Sequence, residues 1–271
     1  MSKIGTLRDL AFELLQEHHR DDMIPTIVRF LFYEMVQRRQ VSKTSTGKRR
    51  ADQDLIDAVM DLREEGRIPW DWLVDETRSL EDYTGYPTIK QGVLAQLPHI
   101  RLDPWRGRAP MILTESRSLA GTLRNVIIEL RARIASTNGQ VGGFLRTDIA
   151  PQLQPGDRVG YLGDLDLSGG QIETNTRRVL EREIGGELQW ERVALTQEQV
   201  REYDLPRIVK RDRRYRDGHP HEAVETEAIG QRVLTEILRA WLVALLPESL
   251  DRVQEREAHQ RRQIERLLRR T

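Results

Sequence analysis

The sequence contains no cysteine, so neither a disulfide nor a thiolate-bound zinc site can contribute to its fold or chemistry. Also missing is any apolar run near the roughly 20 residues that span a bilayer, and no membrane partner is expected. The opening segment MSKIGTLRDL has no apolar core behind its basic residue, which points to a cytoplasmic protein. Net charge is absent too, because 43 basic residues balance 43 acidic ones. The chain as a whole therefore does not advertise a polyanionic partner. It has no P-loop motif, no internal repeat and no extended low-complexity tract.

What is present is an ordinary globular composition, 38% apolar and 32% charged over 271 residues. That length allows one large domain or two modest ones. Positive charge is balanced overall but clustered locally. Lys43, Lys48, Arg49 and Arg50 lie in a Ser/Thr/Gly-rich stretch. Lys210, Arg211, Arg213 and Arg214 form a second group with Arg207 and Arg216, and a third runs from Arg252 to Arg270. Arginine suits bidentate phosphate contacts, so the first two groups are candidate DNA-binding residues. Solvated basic faces are the plainer alternative.

Hydrophobic spacing divides the chain. Leu7, Leu10, Ala11, Leu14 and Leu15 recur at helical intervals, as do Ile27, Phe30, Leu31, Met35 and Val36 after Pro25. A third stripe, Leu55, Ile56, Val59, Met60 and Leu62, follows Asp52 as a cap and ends at Gly66. The segment RIPWDWLVDETR then reads as a short strand pair or wing. Three helices and a wing predict a winged-helix DNA-binding domain over 1–83. Residues 84–110 hold four of the eleven prolines and read as a linker. From Met111 strands alternate with helices: MILTE, SLAGTLRNVIIELR, RIAST, a glycine-bearing loop NGQVGGF, a helix over 145–153, RVGYLGDLD, SGGQIETNTRRVLERE and LQWERVALT. That alternation predicts an α/β domain over 111–247 with a mostly parallel sheet. Residues 222–246 and 248–270 read as two further helices, the last one basic.

The sharpest local signal is the run Asp164-Leu165-Asp166-Leu167-Ser168-Gly169-Gly170, where an apolar strand meets a helix. Alternate residues of a strand share a side, so both carboxylates can face one spot at the strand's carboxyl end. Open α/β sheets bind ligands at that end. Glu115 ends the strand MILTE in the same way. Three carboxylates on adjacent strand ends suit a hard cation such as magnesium, with manganese an acceptable substitute. Taken singly, each acid has a plainer reading: Asp166 as a helix cap, Glu115 as a solvated strand end.

A Glu, a glycine loop and then Asp-x-Asp-x-x-Gly, each at a strand end and in that order, resembles the Toprim domain of topoisomerases, primases and some nucleases. The resemblance covers roughly 111–205. It implies a Rossmann-like sheet, metal binding by Glu115, Asp164 and Asp166, and acid–base work for Glu115. Family members often place Lys after the Glu, whereas this chain has Ser116. Arg117 and Arg124 are candidates for the missing charge.

Arg29 and Tyr33 are four residues apart and share a helix face. This segment, PTIVRFLFYEMVQ, resembles the catalytic helix of the topoisomerase VI A subunit and of the related meiotic double-strand-break transesterase. There a winged-helix domain also precedes a Toprim domain. The resemblance implies that Tyr33 attacks DNA and that Arg29 steadies the phosphate. It further implies a homodimer in which each tyrosine works with the partner's acids, and a separate ATPase subunit for strand passage. WERVALTQEQVREYDLP and HEAVETEAI resemble later segments of the same proteins, which puts Glu222, Glu225 and Glu227 near the metal region. A free phenol has a pKa of about 10 and needs activation. The residues alone leave open whether Tyr33 or water is the nucleophile, and Phe30 to Tyr33 also read as plain core. A non-catalytic DNA-binding module is the remaining alternative. His219 and His221 read as a solvated loop.

Overall fold

The computed structural model describes residues 3–42, 51–74, 82–137, 142–210 and 221–270. Three helices come first: α1 (Lys3–Arg20), α2 (Val28–Gln37) and α3 (Gln53–Glu64). Each buries the stripe that its spacing predicts. Ala11, Leu14 and Leu15 of α1 meet Phe30, Leu31 and Met35 of α2 and Leu55, Val59 and Leu62 of α3 in one core. Pro25 does not open α2. It precedes Thr26, which pairs in parallel with Leu73, and the helix starts two residues further on. Asp52 stands before α3 but makes no capping hydrogen bond through its side chain.

Where a wing is expected, the described residues form a 3-10 turn (Trp70–Trp72) and that single bridge to Thr26, with no strand pair. Trp72 stacks on His19 with ring centroids 4.7 Å apart. The indole therefore serves as packing for α1.

The 84–110 segment is more than a linker. It contains α4 (Ile89–Gln96), capped by Thr88, whose side chain accepts from Gln91 N. Its end is tied to the C-terminal helix α10 (Leu250–Arg270) through the buried Glu257. Glu257 accepts from Leu102 N at 2.9 Å and pairs with Arg131 at 2.9 Å and with Arg261 at 2.8 Å. A buried carboxylate is tolerated only when partners satisfy it. Here burial works against its charge, but these donors together hold its pKa below the ordinary value.

The centre of the molecule is a four-stranded sheet in the order β2-β1-β3-β4, parallel throughout. Its strands are β1 (Met111–Thr114), β2 (Arg133–Ser136), β3 (Arg158–Leu162) and β4 (Gln189–Ala194). Helix α5 (Arg117–Leu130) joins β1 to β2. A helical run, α6 (Gly142–Phe144) continuing to Gln152, comes before β3, and α7 (Leu167–Ile184) joins β3 to β4. Helix α8 (Gln197–Glu202) follows β4, and β5 (Ile208–Lys210) pairs antiparallel with β6 (His221–Ala223).

The last two helices are α9 (Gln231–Leu245) and α10. Residues 222–230 are not helical as expected. They form β6 and a 3-10 turn (Thr226–Ile229), and α9 begins only at Gln231. Gly230, at φ 83°, takes up a backbone conformation that a side chain disfavours.

Period-2 alternation distributes the strands between two cores. Ile112 and Leu162 join α5 and α9, in a core continuous with α1–α3. Met111, Leu113, Val159 and Tyr161 join α7 and the 145–153 run on the other face. Gly160 must be small because Trp241 of α9 lies over it, and a Cβ there would sit 3.0 Å from the indole.

Leu234, Leu238 and Leu242, one helical turn apart, are all fully buried. Truncating Leu238 to Ala removes three carbons from the α9 contact and leaves a cavity. The expected loss is about 3 kcal/mol, read as a lower urea midpoint with an unchanged slope.

Candidate functional site

The β1 connection runs toward β2 and the β3 connection runs toward β4, so the strand order reverses between β1 and β3. Such a switch point opens a crevice at the carboxyl ends of the strands. Glu115 directly follows β1. Asp164 and Asp166 lie just past β3, in the turn before α7 and not on the strand itself. The fold thus brings all three acids to one rim.

Each carboxylate has local work. Asp166 is the N-cap of α7, and its Oδ1 accepts from Gly169 N at 2.7 Å. Asp164 Oδ1 accepts from Thr226 N at 2.9 Å and from the Thr226 hydroxyl at 3.0 Å. Glu115 Oε1 accepts from the Tyr161 hydroxyl at 2.9 Å and from Asp164 N at 3.2 Å. Burial first, and then the Asp164 charge, push the Glu115 carboxyl up to about 7. The Tyr161 hydrogen bond and Arg192 oppose that rise, and Asp166 adds to it.

The glycines around the turn follow from this crowding. A Cβ on Gly163 would lie 2.3 Å from Glu115 Oε1, and one on Gly169 would lie 2.3 Å from the Asp164 carbonyl oxygen. Among the described residues, no three His, Asp or Glu side chains are gathered so that they could hold one ion. The donors have the right chemistry for magnesium, but they do not form a closed cage of three carboxylates.

The turn is clamped from two sides. Arg192 of β4 donates through Nη1 to the carbonyls of Gly163 at 2.9 Å and Leu195 at 3.0 Å. Its guanidinium also lies 5.3 Å from the Tyr161 ring centroid, and Nη2 pairs with Glu173 at 2.7 Å. On the other side Leu165 and Val224 exchange backbone hydrogen bonds of 2.8 and 3.2 Å. That antiparallel bridge draws Glu225, Thr226 and Glu227 to the rim.

These residues reach α2. Glu225 Oε1 pairs with Arg29 at 2.5 Å, and Glu225 Oε2 accepts a hydrogen bond from the Tyr33 hydroxyl. Gln37 of α2 donates to the Ala228 carbonyl at 2.8 Å. Tyr33 is only 2% exposed. Burial, and then the Glu225 contact, raise its pKa above the ordinary phenol value. Arg29 is 45% exposed along its side chain. Burial works against its charge, but Glu227 and Glu225 outweigh burial and keep it protonated. Glu227 is buried, and that burial pushes its carboxyl up to about 7, opposed by Arg29 and reinforced by Asp164. An unbroken set of contacts therefore runs from Asp164 through Thr226 and Glu225 to Arg29 and Tyr33, all within one chain.

The other sequence candidates are dispersed. Ser116 caps α5 by accepting from Leu119 N at 3.1 Å, and Arg117 and Arg124 are exposed on that helix. Glu222 is exposed and pairs with Arg207, away from the rim acids. Lys210 ends β5. Lys43, Lys48, Arg49, Arg50, Arg211, Arg213, Arg214 and His219 lie outside the described residues. Three contributors escaped the sequence reading. Tyr161 looked like one more apolar strand residue. Arg192 follows Glu191 in the strand and gave no distinguishing signal. Thr226 gave none. Compared with known proteins, the chain matches no family model, no curated protein and no solved structure.

The Glu115 shift has a consequence for stability. Between its ordinary 4.5 and about 7, the folded chain holds a proton that the unfolded chain has released. Stability from this group is therefore fully present below the lower value and is lost as pH rises through that window. Glu115→Gln removes the titration while keeping an acceptor for Tyr161. Its stability relative to wild type should increase from pH 5 to pH 8 in urea unfolding. A constant difference across that range would refute the assignment.

Proposed function

We propose that this protein breaks DNA strands at the rim formed by Glu115, Asp164, Asp166, Glu225, Arg29 and Tyr33. The carrying observation is the single segment Glu225–Glu227, which touches Asp164 at one end and the Arg29/Tyr33 face of α2 at the other. An acidic switch-point crevice alone suits many ligands. A phenol and a guanidinium joined to it suit a phosphodiester.

In this reading Tyr33 is the nucleophile and Glu225 is its base. The phenol oxygen bonds to phosphorus as its proton passes to Glu225, and the phosphorus–oxygen bond to the leaving deoxyribose breaks. Glu115, half protonated near neutrality, gives that leaving oxygen a proton. Arg29, with its charge secured and its side chain half exposed, binds the phosphate. Magnesium or manganese belongs to the proposal as a companion of the substrate. Magnesium ordinarily binds through one or two carboxylates, with water and phosphate oxygens completing its shell. The resemblance to topoisomerase VI A adds a homodimer and, for strand passage, a separate ATPase subunit, but its pairing of each tyrosine with the partner's acids differs from the contact here, where Tyr33 meets Glu225 of its own chain.

Burial of Tyr33 favours a second reading, in which water attacks and Tyr33 only orients Glu225. Labelled plasmid incubated with magnesium and run on a denaturing gel separates the two. Transesterification leaves DNA covalently on the protein, Tyr33→Phe abolishes that adduct, and Glu225→Gln slows it by about 10²-fold. Cleavage that survives Tyr33→Phe but not Asp164→Ala identifies water as the nucleophile. Binding without cleavage in every variant overturns both and leaves a DNA-binding module. Asp166→Asn is the sharpest control, because Asn caps a helix about as well as Asp but carries no charge.

A further inference from the structure

Beside the Tyr33 contact lies a second cleft, of about 360 Å³, between α2, α3 and the turn from β1 into α5. Apolar Ile27, Ile56 and Met60 line it together with Arg29, Ser116 and the buried Glu227. Met60 is 38% exposed, unusually open for a methionine on a core helix. The volume is near the lower end of small-ligand clefts, about 300–1,000 Å³. A helix about 10 Å across cannot enter it, whereas a flat ring can. Arg29 is shared, because it also lines the small cleft that holds Tyr33 and Glu225.

We infer that this cleft receives one unstacked nucleobase of the DNA strand being cut, next to the phosphate held by Arg29. The inference rests on the strand-breaking reading and adds a substrate feature to it. Ile27, Ile56 and Met60 offer the faces of a base an apolar surface in place of its stacked neighbours. The Glu227 carboxyl, pushed up to about 7, donates a proton when protonated and accepts one when ionised. It can therefore meet either an amino or a carbonyl group on the edge of the base. The base inside an intact duplex cannot reach such a cleft without leaving the stack. Single-stranded, frayed or distorted DNA is therefore the preferred substrate.

Binding of a labelled single-stranded DNA oligonucleotide to the full chain, measured by fluorescence anisotropy in EDTA, tests this. The oligonucleotide is compared with copies carrying one abasic residue at each position in turn. One or two positions should weaken binding about fivefold or more when abasic, equivalent to about 1 kcal/mol. Met60→Trp, which puts a larger side chain into the cleft from a partly exposed lining position, should weaken the intact oligonucleotide but not the copy already abasic at that position. Equal affinity for every abasic copy overturns the cleft assignment and leaves the strand-breaking reading standing. So does equal weakening of intact and abasic DNA by Met60→Trp. Absence of any DNA binding by the wild-type chain overturns both. The abasic scan uses the wild-type protein, so the test holds even if Met60→Trp fails to fold.

Discussion

Leu165 and Val224 exchange two backbone hydrogen bonds across a long stretch of chain, and the site depends on that exchange. It closes the turn after β3 against the segment before α9, and it fixes Thr226 close enough to give both its donors to Asp164. The adjacent residues then fall to either side, Glu225 onto α2 and Glu227 into the interior. Without the bridge, Asp164 would be a solvated aspartate and Tyr33 a core aromatic with a distant hydroxyl partner. Two backbone bonds of ordinary strength, about 1 kcal/mol each in net terms, thus decide whether two clusters of side chains act as one.

The acids concentrated there carry a cost that the fold answers with donors. Glu115 and Glu227 are both pushed toward neutrality by burial, while Arg29 keeps a full charge between Glu225 and Glu227. Each of the two carboxyls has its own cation, Arg192 near Glu115 and Arg29 near Glu227, which opposes that push. The same crowding explains why Gly163 and Gly169 have no room for a methyl group. Arg192 has a supporting role. It holds two carbonyls of the turn, Gly163 and Asp164, together with that of Leu195 just past β4, and packs against Tyr161, the donor to Glu115.

Much of the architecture was readable from spacing. The stripes of α1, α2 and α3 and the alternation of strands and helices from Met111 follow from local periodicity, and Glu115 follows β1 as expected, whereas the two aspartates fall in the turn past β3. The failures have a common cause. Over residues 67–74 the expected wing shows a 3-10 turn whose indole packs on His19, because an aromatic run satisfies helix packing as readily as a strand pair, and the rest of that segment lies outside the described residues. The 84–110 segment looked like linker by proline content, yet Glu257, far away in α10, gathers it into the body of the protein. Residues 222–230 looked helical by composition, but pairing with β5 and with Leu165 holds 222–224 extended, and a 3-10 turn (Thr226–Ile229) follows before α9.

The sequence by itself pointed to Glu115, Asp164, Asp166, Arg29 and Tyr33 as candidates and put them near strand ends or on a helix. Period 2 and period 3.6 are local properties, and a carboxylate at a strand end is visible in a few residues. Only the tertiary structure decided what those residues do to one another. It spent Asp166 on a cap, bound Asp164 to Thr226, buried Glu115 against Tyr161, and delivered Glu225 to Tyr33 and Arg29. Those outcomes arise from contacts between segments far apart in the chain, and they depend on burial and hydrogen-bond geometry that no local pattern encodes.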